Sequence, residues 1–343
     1  MASSRLDKLR SRRIDPLVKV AGLNEAYNRL ATEDSSVQYA IGAMQPIDPD
    51  YTRRTIEERT RIEKQLTDGY VKAGLHVDFA YQGSVTNDTH IRVYSDVDLL
   101  TVEERWFGIE PPNIPIVPYV GDPIQNLRQI RTNTVKILRP AFPAATVDES
   151  GSKSISVSGG SLRRKIDVIS CAWWHTVEYV QDTQRHWLGI EILDNDKGQR
   201  ISNKPFLHNK RIEERDAATN GGLRKAIRLL KSLRYDSDDK IDLSSYDIAG
   251  IAYNIFDEWL AVSPGQDLLL VRSCREYLRY LIDNKPYRDL IAVPNKMRKV
   301  FCAEGANEVG LRQMSVAVDT LVAEIEQGLS RSFRKLAEAR VRY

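Results

Sequence analysis

Cysteine is scarce in this chain. Cys171, Cys274 and Cys302 are the three present, odd in number and scattered, so they neither frame a disulfide scaffold nor space a zinc site. The five histidines, His76, His90, His175, His186 and His208, show no metal-ligand spacing and read as packing or surface residues. No apolar run approaches the roughly 18–20 residues needed to cross a bilayer. The opening MASSRLDKLRSRRID is charged, with no apolar segment behind it, which argues against a secretory leader. A dominant charge sign is also missing. A net charge of +3 is too mild for a protein that coats nucleic acid, although a local basic face is compatible with it. No internal repeat and no low-complexity tail is visible. These absences lead us to expect a reduced, cytoplasmic setting and no membrane partner.

What is present suits a soluble globular protein: 42% hydrophobic and 28% charged residues in a chain long enough for two domains. Helical pieces are expected in residues 1–45, with a break near Asp34-Ser35-Ser36. A long helix should run from Tyr51 to Gly74, with Ile56, Ile62, Leu66, Tyr70 and Val71 on its apolar side. The proline-rich stretch 111–121 reads as a surface loop. A helix through Leu138 then starts at Asp122-Pro123. From about Lys204 the character turns helical. Leu223, Ile227 and Leu230 mark one face of a helix to Tyr235, and Arg224, Lys225, Arg228, Lys231 and Arg234 mark a mostly solvated remainder. Ser244 and Ser245 are candidate N-caps of a further helix to Leu260. Helical segments are also expected over residues 266–284 and from Val309 onward. The predicted organisation is a core over residues 1–203 and an α-helical domain over 204–343.

The chemistry concentrates in Phe79–Val102, FAYQGSVTNDTHIRVYSDVDLLTV. Its end, Asp98-Leu99-Leu100-Thr101-Val102, reads as a strand. Alternate strand residues share a face, so Asp96 and Asp98 should project together from one sheet edge. Two carboxylates side by side repel unless a cation lies between them, and oxygen donors of this kind suit Mg²⁺ with substrate phosphates. Upstream, Gly83 allows close backbone approach to a phosphate, and Ser84 adds a hydroxyl beside amide groups. Downstream, Arg164–Ser170 is an apolar strand holding one acid, Asp167, which needs a partner or a metal if buried. Two acids plus one on neighbouring strands would meet the needs of a two-metal phosphoryl- or nucleotidyl-transfer site. A second Asp-x-Asp, Asp194-Asn195-Asp196, sits beside Lys197-Gly198 and has the composition of a hairpin turn.

Gly83-Ser84, Asp96-Val97-Asp98 and Asp167 together resemble the nucleotidyltransferases related to DNA polymerase beta, and more narrowly the bacterial cGAS/DncV-like nucleotidyltransferases (CD-NTases). QGSVTNDTHIRVYSDVDLL looks like that family's loop and strand. IRLLKSLRYD and SSYDIAGIAYNIF are similar to segments of its helical domain. The likeness covers roughly residues 50–260. It implies an α+β fold: a polymerase-beta-like nucleotidyltransferase core, a mixed sheet with flanking helices, followed by a C-terminal helical domain. By the same resemblance Asp96, Asp98 and Asp167 would be the catalytic acids and ligands of two Mg²⁺ ions, with Mn²⁺ as the alternative. Gly83 and Ser84 would hold the donor triphosphate, Lys231 and Ser245 would contact donor phosphates, and Tyr246 would stack on the donor base.

The expected activity is synthesis of cyclic oligonucleotide second messengers from nucleoside triphosphates, ATP among them, in bacterial anti-phage signalling. A regulatory protein partner, or an effector reached through the product, is implied with it. The cysteine/histidine cluster that the animal DNA sensor uses for zinc and DNA is missing. With the small net charge, this argues against activation by long duplex DNA. Two other readings are weighed: a template-independent RNA-tailing or small-molecule or protein nucleotidylating enzyme, which shares the same acids, and a non-catalytic nucleotide-binding module, the least favoured because it would keep the fold but lose acids that are all present here. The acceptor separates the first of these from a cyclase, and pyrophosphate release separates the second.

Overall fold

The computed structural model describes residues 4–13, 34–92 and 97–341. In chain order it contains α1 (Arg5–Arg13), α2 (Ser35–Met44), α3 (Pro49–Lys72), β1 (Val77–Gln82), β2 (Val97–Ile109) and α4 (Pro123–Ala141). Then come β3 (Thr146–Asp148), β4 (Ile155–Gly159), β5 (Leu162–His175), β6 (Gly189–Asp194) and β7 (Gln199–Asn203). The helices α5 (Pro205–Ala218), α6 (Gly222–Asp236), α7 (Ser245–Tyr253), α8 (Leu268–Asp283) and α9 (Glu308–Val341) complete it, with short helical turns between. The helical pieces expected within 14–33 lie outside the described residues. Two compact units result. A sheet unit comprises Asp48–Asp88 and Tyr94–Arg211, and a helical unit comprises Met1–Ile47, Thr89–Val93 and Ile212–Tyr343.

In the sheet unit the strand order is β1-β2-β5-β4-β3, with β6 on β5 and β7 on β6. β2 and β5 are parallel, and the other pairs are antiparallel. Parallel neighbours need a long crossover, and the chain between β2 and β5 includes α4. That helix starts where Asp122 accepts from the Ile124 and Gln125 amides and Pro123 occupies the first turn, a favourable start because the first-turn amides have no helical acceptors. Ile62, Leu66 and Tyr70 of α3 and Ile130 and Leu138 of α4 bury themselves against Leu99, Val157, Ile166 and Val168 on one sheet face. Each such side chain contributes ~1.5–3 kcal/mol. The two helices approach closely at Gly69, where a Cβ would come within 2.5 Å of Ile137. The opposite sheet face carries Ala80, Leu100, Val102, Ile169, Cys171 and Ile190. Both acid-bearing strands are longer than their apolar runs suggested, because β2 and β5 continue together past a register shift between Glu103 and Gly108. The Asp194–Gly198 stretch does form the β6–β7 turn, with Asp194 accepting from the Lys197 amide.

The helical unit is built around α6, whose Leu223, Ala226, Ile227, Leu229, Leu230 and Leu233 are all buried. The N-terminal helices belong here rather than with residues 48–203, as a boundary at 203/204 would have it. Leu6 and Leu9 of α1 and Val37, Ala40, Ala43 and Met44 of α2 lie in the same apolar cluster as α6. The basic run on α6 is also not uniformly solvated: Arg228 and Lys231 are buried, and Arg228 donates to the Met44 carbonyl at 2.7 Å. The helix expected to reach Leu260 stops at Tyr253. There the Asn254 side chain donates to the carbonyls of Gly250 and Ala292, and a separate turn, Asp257–Leu260, follows.

Candidate active site

Asp98 on β2 and Asp167 on β5 are direct partners in the parallel ladder. Neighbouring strands lie ~4.8 Å apart and paired residues share a face, so the two carboxylates stand abreast. The face is the one that bears Leu100, Val102, Ile169 and Cys171, opposite the helices α3 and α4. Asp96 lies outside the described residues. The register extends the row beyond the two acids. Gln82 of β1 pairs with Asp98, Ser156 of β4 pairs with Asp167, and Asp148 of β3 pairs with Ser156. Gln82, Asp98, Asp167, Ser156 and Asp148 thus form one polar row across five strands. The next row on that face, Ala80, Leu100 and Ile169, is apolar. The acids therefore sit where a dry sheet face turns polar, which favours charge interactions over those in open water.

The glycine–serine loop adjoins this row. Gly83 has φ +96°, a conformation that L side chains rarely adopt, and a Cβ on it would lie 3.0 Å from Asp98 Oδ2. Its bare backbone is what lets the loop press against the carboxylate. The loop is tied in turn: Thr86 Oγ1 donates to the Gly83 carbonyl at 2.7 Å. Asn209 of α5 donates to Thr86 Oγ1 at 3.1 Å and accepts from Asn87 at 3.3 Å. Lys165, two residues before Asp167 and on its face, holds Asp167 Oδ2 at 3.0 Å. A cation against this carboxylate is what the row requires, and half-exposed Lys165 contributes only modestly to stability.

The donor set fits a hard divalent ion: two carboxylates abreast, all-oxygen, beside a backbone that only glycine allows so close. Among the described residues no three His, Cys, Asp or Glu side chains converge on one point. Asp98 and Asp167 are two candidate donors, and Asp96, the third acid expected from the sequence, lies outside the described residues.

The remaining candidates lie in the helical unit. Lys231 of α6 is buried and donates to both the carbonyl and Oγ1 of Thr89, at 3.1 and 3.0 Å. Burial, with Arg228 second, holds its ammonium down to about 7. Of the two serines at the start of α7, Ser244 is the cap. It accepts from the Asp247 amide at 3.0 Å and donates to the Asp247 carboxylate at 2.6 Å. Ser245 is the first helical residue and is exposed. Tyr246 donates to Asn295 Oδ1 at 3.0 Å, and the Arg298 guanidinium lies 5.1 Å from its ring centroid. Arg298 also binds Asp247 at 2.6 Å, so the ring is clamped in place; burial raises its hydroxyl pKa.

Sequence reasoning missed Gln82, Ser156 and Lys165 around the acids, and Thr86 and Asn209 behind the loop. Alternation along the strand could have offered Lys165, because it stands two residues from Asp167. The others depend on register or on a contact across more than 120 positions.

Comparison with known proteins bears on this geometry. The C-terminal helical domain of cGAS/DncV-like nucleotidyltransferases matches residues 210–324. A cyclic dinucleotide synthase, CdnE, from Yersinia aleksiciae is 37% identical over 313 residues, which cover 90% of this chain and 82% of that protein. A c-di-GMP synthase from a Lachnospiraceae bacterium is 30% identical, covering 82% of this chain and 87% of its own. Among solved structures, a STING-associated CdnE c-di-GMP synthase from Flavobacteriaceae sp. superposes with a TM-score of 0.77. It does so at 24% identity, over 93% of this chain and 97% of that one, a likeness of fold.

Proposed function

Because the chain belongs to the cGAS/DncV-like nucleotidyltransferase family, we propose that it joins nucleoside triphosphates into a cyclic dinucleotide. The observation that carries this reading is the Asp98–Asp167 pair, abreast in the ladder with the Gly83 backbone against Asp98. The likeness to cyclic dinucleotide synthases supports it.

Asp96, Asp98 and Asp167 would hold two Mg²⁺ ions, or Mn²⁺ in their stead. When bound, such ions supply charge stabilisation for the entering and leaving oxygens of an in-line displacement. The chain's own residues do the rest. The Gly83–Ser84 backbone and the Ser84 hydroxyl hold the donor triphosphate. Asp167 orients the hydroxyl of the second nucleotide and takes up its proton as that oxygen bonds to the α-phosphorus and pyrophosphate leaves. Repeating the displacement within the linear product closes the ring. Such catalysis is chiefly positioning and electrostatics. In the helical unit, Lys231, Ser245 and Tyr246 are the residues we assign to donor phosphates and base. A receptor for the cyclic product is the downstream partner this reading implies.

The test is mass spectrometry of products from the purified chain, all four triphosphates and Mg²⁺. Phosphatase-resistant cyclic products are expected. Asp98→Asn or Asp167→Asn should each lower turnover by ~10³-fold or more, the ~4 kcal/mol scale of a lost electrostatic contact at the reacting centre. Near-normal turnover in either variant, or label found only on added RNA or polypeptide, would overturn the reading.

A further inference from the structure

Part of the stretch between the glycine–serine loop and Asp98 does not belong to the sheet unit. Thr89–Val93 clusters with the helical unit, although the residues on either side of it cluster with the sheet. Thr89 follows Gly83 by six positions and Asp98 follows Arg92 by six. Thr89, His90 and Ile91 are buried and lie in no regular element. Their backbone groups must therefore find acceptors and donors outside a helix or ladder.

The helical unit supplies two of these. Lys231 donates to the Thr89 carbonyl, and Arg12 Nη1 donates to the Ile91 carbonyl at 2.8 Å. Arg12 is itself fixed. Its Nε and Nη2 form a bidentate pair with Asp236 at 3.1 and 2.6 Å. Tyr39 donates to the same carboxylate at 2.9 Å, and Lys8 to the Asp236 carbonyl at 3.0 Å. The pair is fully sequestered, with 5% and 0% side-chain exposure. Beside it, the Arg12 and Arg92 guanidinium groups both lie near the Tyr235 ring, 5.7 and 5.1 Å from its centroid.

A buried ion pair of this kind is a poor source of stability, because desolvation offsets its attraction and an apolar replacement of the same shape does as well. It does impose geometry, since a bidentate guanidinium–carboxylate pair is planar and directional. The third donor of that guanidinium ends on the one segment that joins the phosphate loop to the metal-binding strand. We propose that Arg12, held by Asp236 and Tyr39, is a positioning residue for the nucleotidyl-transfer site. It clamps Ile91, seven positions ahead of Asp98 in the chain, and so anchors the segment that leads to β2. The inference rests on the reading of Asp98 as a metal ligand. Residues that orient metal ligands from behind are worth about 10–100-fold in metal affinity or activity.

The test compares three full-length variants by two measurements. Arg12→Met keeps the bulk and loses the clamp. Tyr39→Phe loosens Asp236 by one hydrogen bond. Leu278→Ala opens the buried core of the helical unit without touching the segment, and is the control for general destabilisation. The first measurement is hydrogen–deuterium exchange over residues 89–92. Arg12→Met should speed it about tenfold or more and Tyr39→Phe less, while Leu278→Ala, at a matched interval below its own melting temperature, should not. The second is the Mg²⁺ concentration for half-maximal turnover. It should rise about tenfold in Arg12→Met and stay unchanged in Leu278→Ala, with saturating Mg²⁺ restoring part of the rate. Unchanged exchange in Arg12→Met, or an exchange increase shared equally by Leu278→Ala, overturns the clamp. A wild-type Mg²⁺ dependence in Arg12→Met overturns the positioning role. Should the wild-type chain form no product, the proposed activity fails, and exchange alone decides the clamp. Should Arg12→Met fail to fold, Tyr39→Phe decides both.

Discussion

Replacing Gly83 by alanine tests the geometry of the acid row directly. The added Cβ would lie 3.0 Å from Asp98 Oδ2, at a residue whose φ is +96°. Two costs follow. Backbone strain for an L residue at such a φ is ~1–3 kcal/mol. The contact itself forces the carboxylate or the loop to move by some tenths of an ångström. The control is Gly74→Ala, where φ is +68° and nothing lies within 4 Å of a Cβ. It carries comparable strain without the contact. Both variants should lower the melting temperature of the sheet unit by ~2–4 °C per kcal/mol lost. Only Gly83→Ala should depress the chemistry. Displacing a reacting arrangement by about 1 Å costs ~10²-fold, so a shift of some tenths should cost ~10-fold or more in pyrophosphate release under saturating triphosphate and Mg²⁺. Equal turnover in the two variants, or a loss in Gly83→Ala that simply follows its lost stability, would refute the placement of the glycine loop against Asp98.

Two further outcomes test the packing behind the site. Arg164 is fully buried and binds Glu58 at 3.2 Å; Arg164→Met removes that guanidinium from the buried carboxylate and should cost ~3–5 kcal/mol in denaturant unfolding, whereas pairing it with Glu58→Leu should recover most of the loss. Lys231 has its pKa lowered to about 7 by burial, against ~10.4 in an unfolded chain. Between those values the unfolded state binds a proton that the native state does not, so stability rises with pH. Lys231→Met should flatten that rise between pH 7.5 and 9.5 by about 1 kcal/mol per pH unit. An unaltered slope would mean that the ammonium stays charged in its buried setting.

Much of this was legible along the chain, because local rules suffice where the signal is local. Alternation marks Asp98 and Asp167 as polar positions on otherwise apolar strands, and Asp122-Pro123 announces the start of α4. The glycine–serine pair and the three-acid pattern carried the family likeness that the comparison with known synthases bears out. Element lengths were less legible. β2 and β5 extend each other by mutual pairing, which neither segment announces alone, and α7 ends at Tyr253 because Asn254 reaches Ala292, 38 positions away.

The chain's residue order determined which side chains could bind a cation or a phosphate, since that is a matter of functional groups and two-residue or four-residue spacing. Only the tertiary structure decided which of them meet. Register put Gln82, Ser156 and Asp148 in line with the two aspartates. Long-range packing drew α1 and α2 to the helical unit, chose Ser244 over Ser245 as the cap, and buried Lys231. It also brought Arg12 to Asp236 across 224 positions. The physical reason is the same throughout: strand register and the burial of charge are settled by the whole set of competing contacts, and no short window of sequence contains that competition.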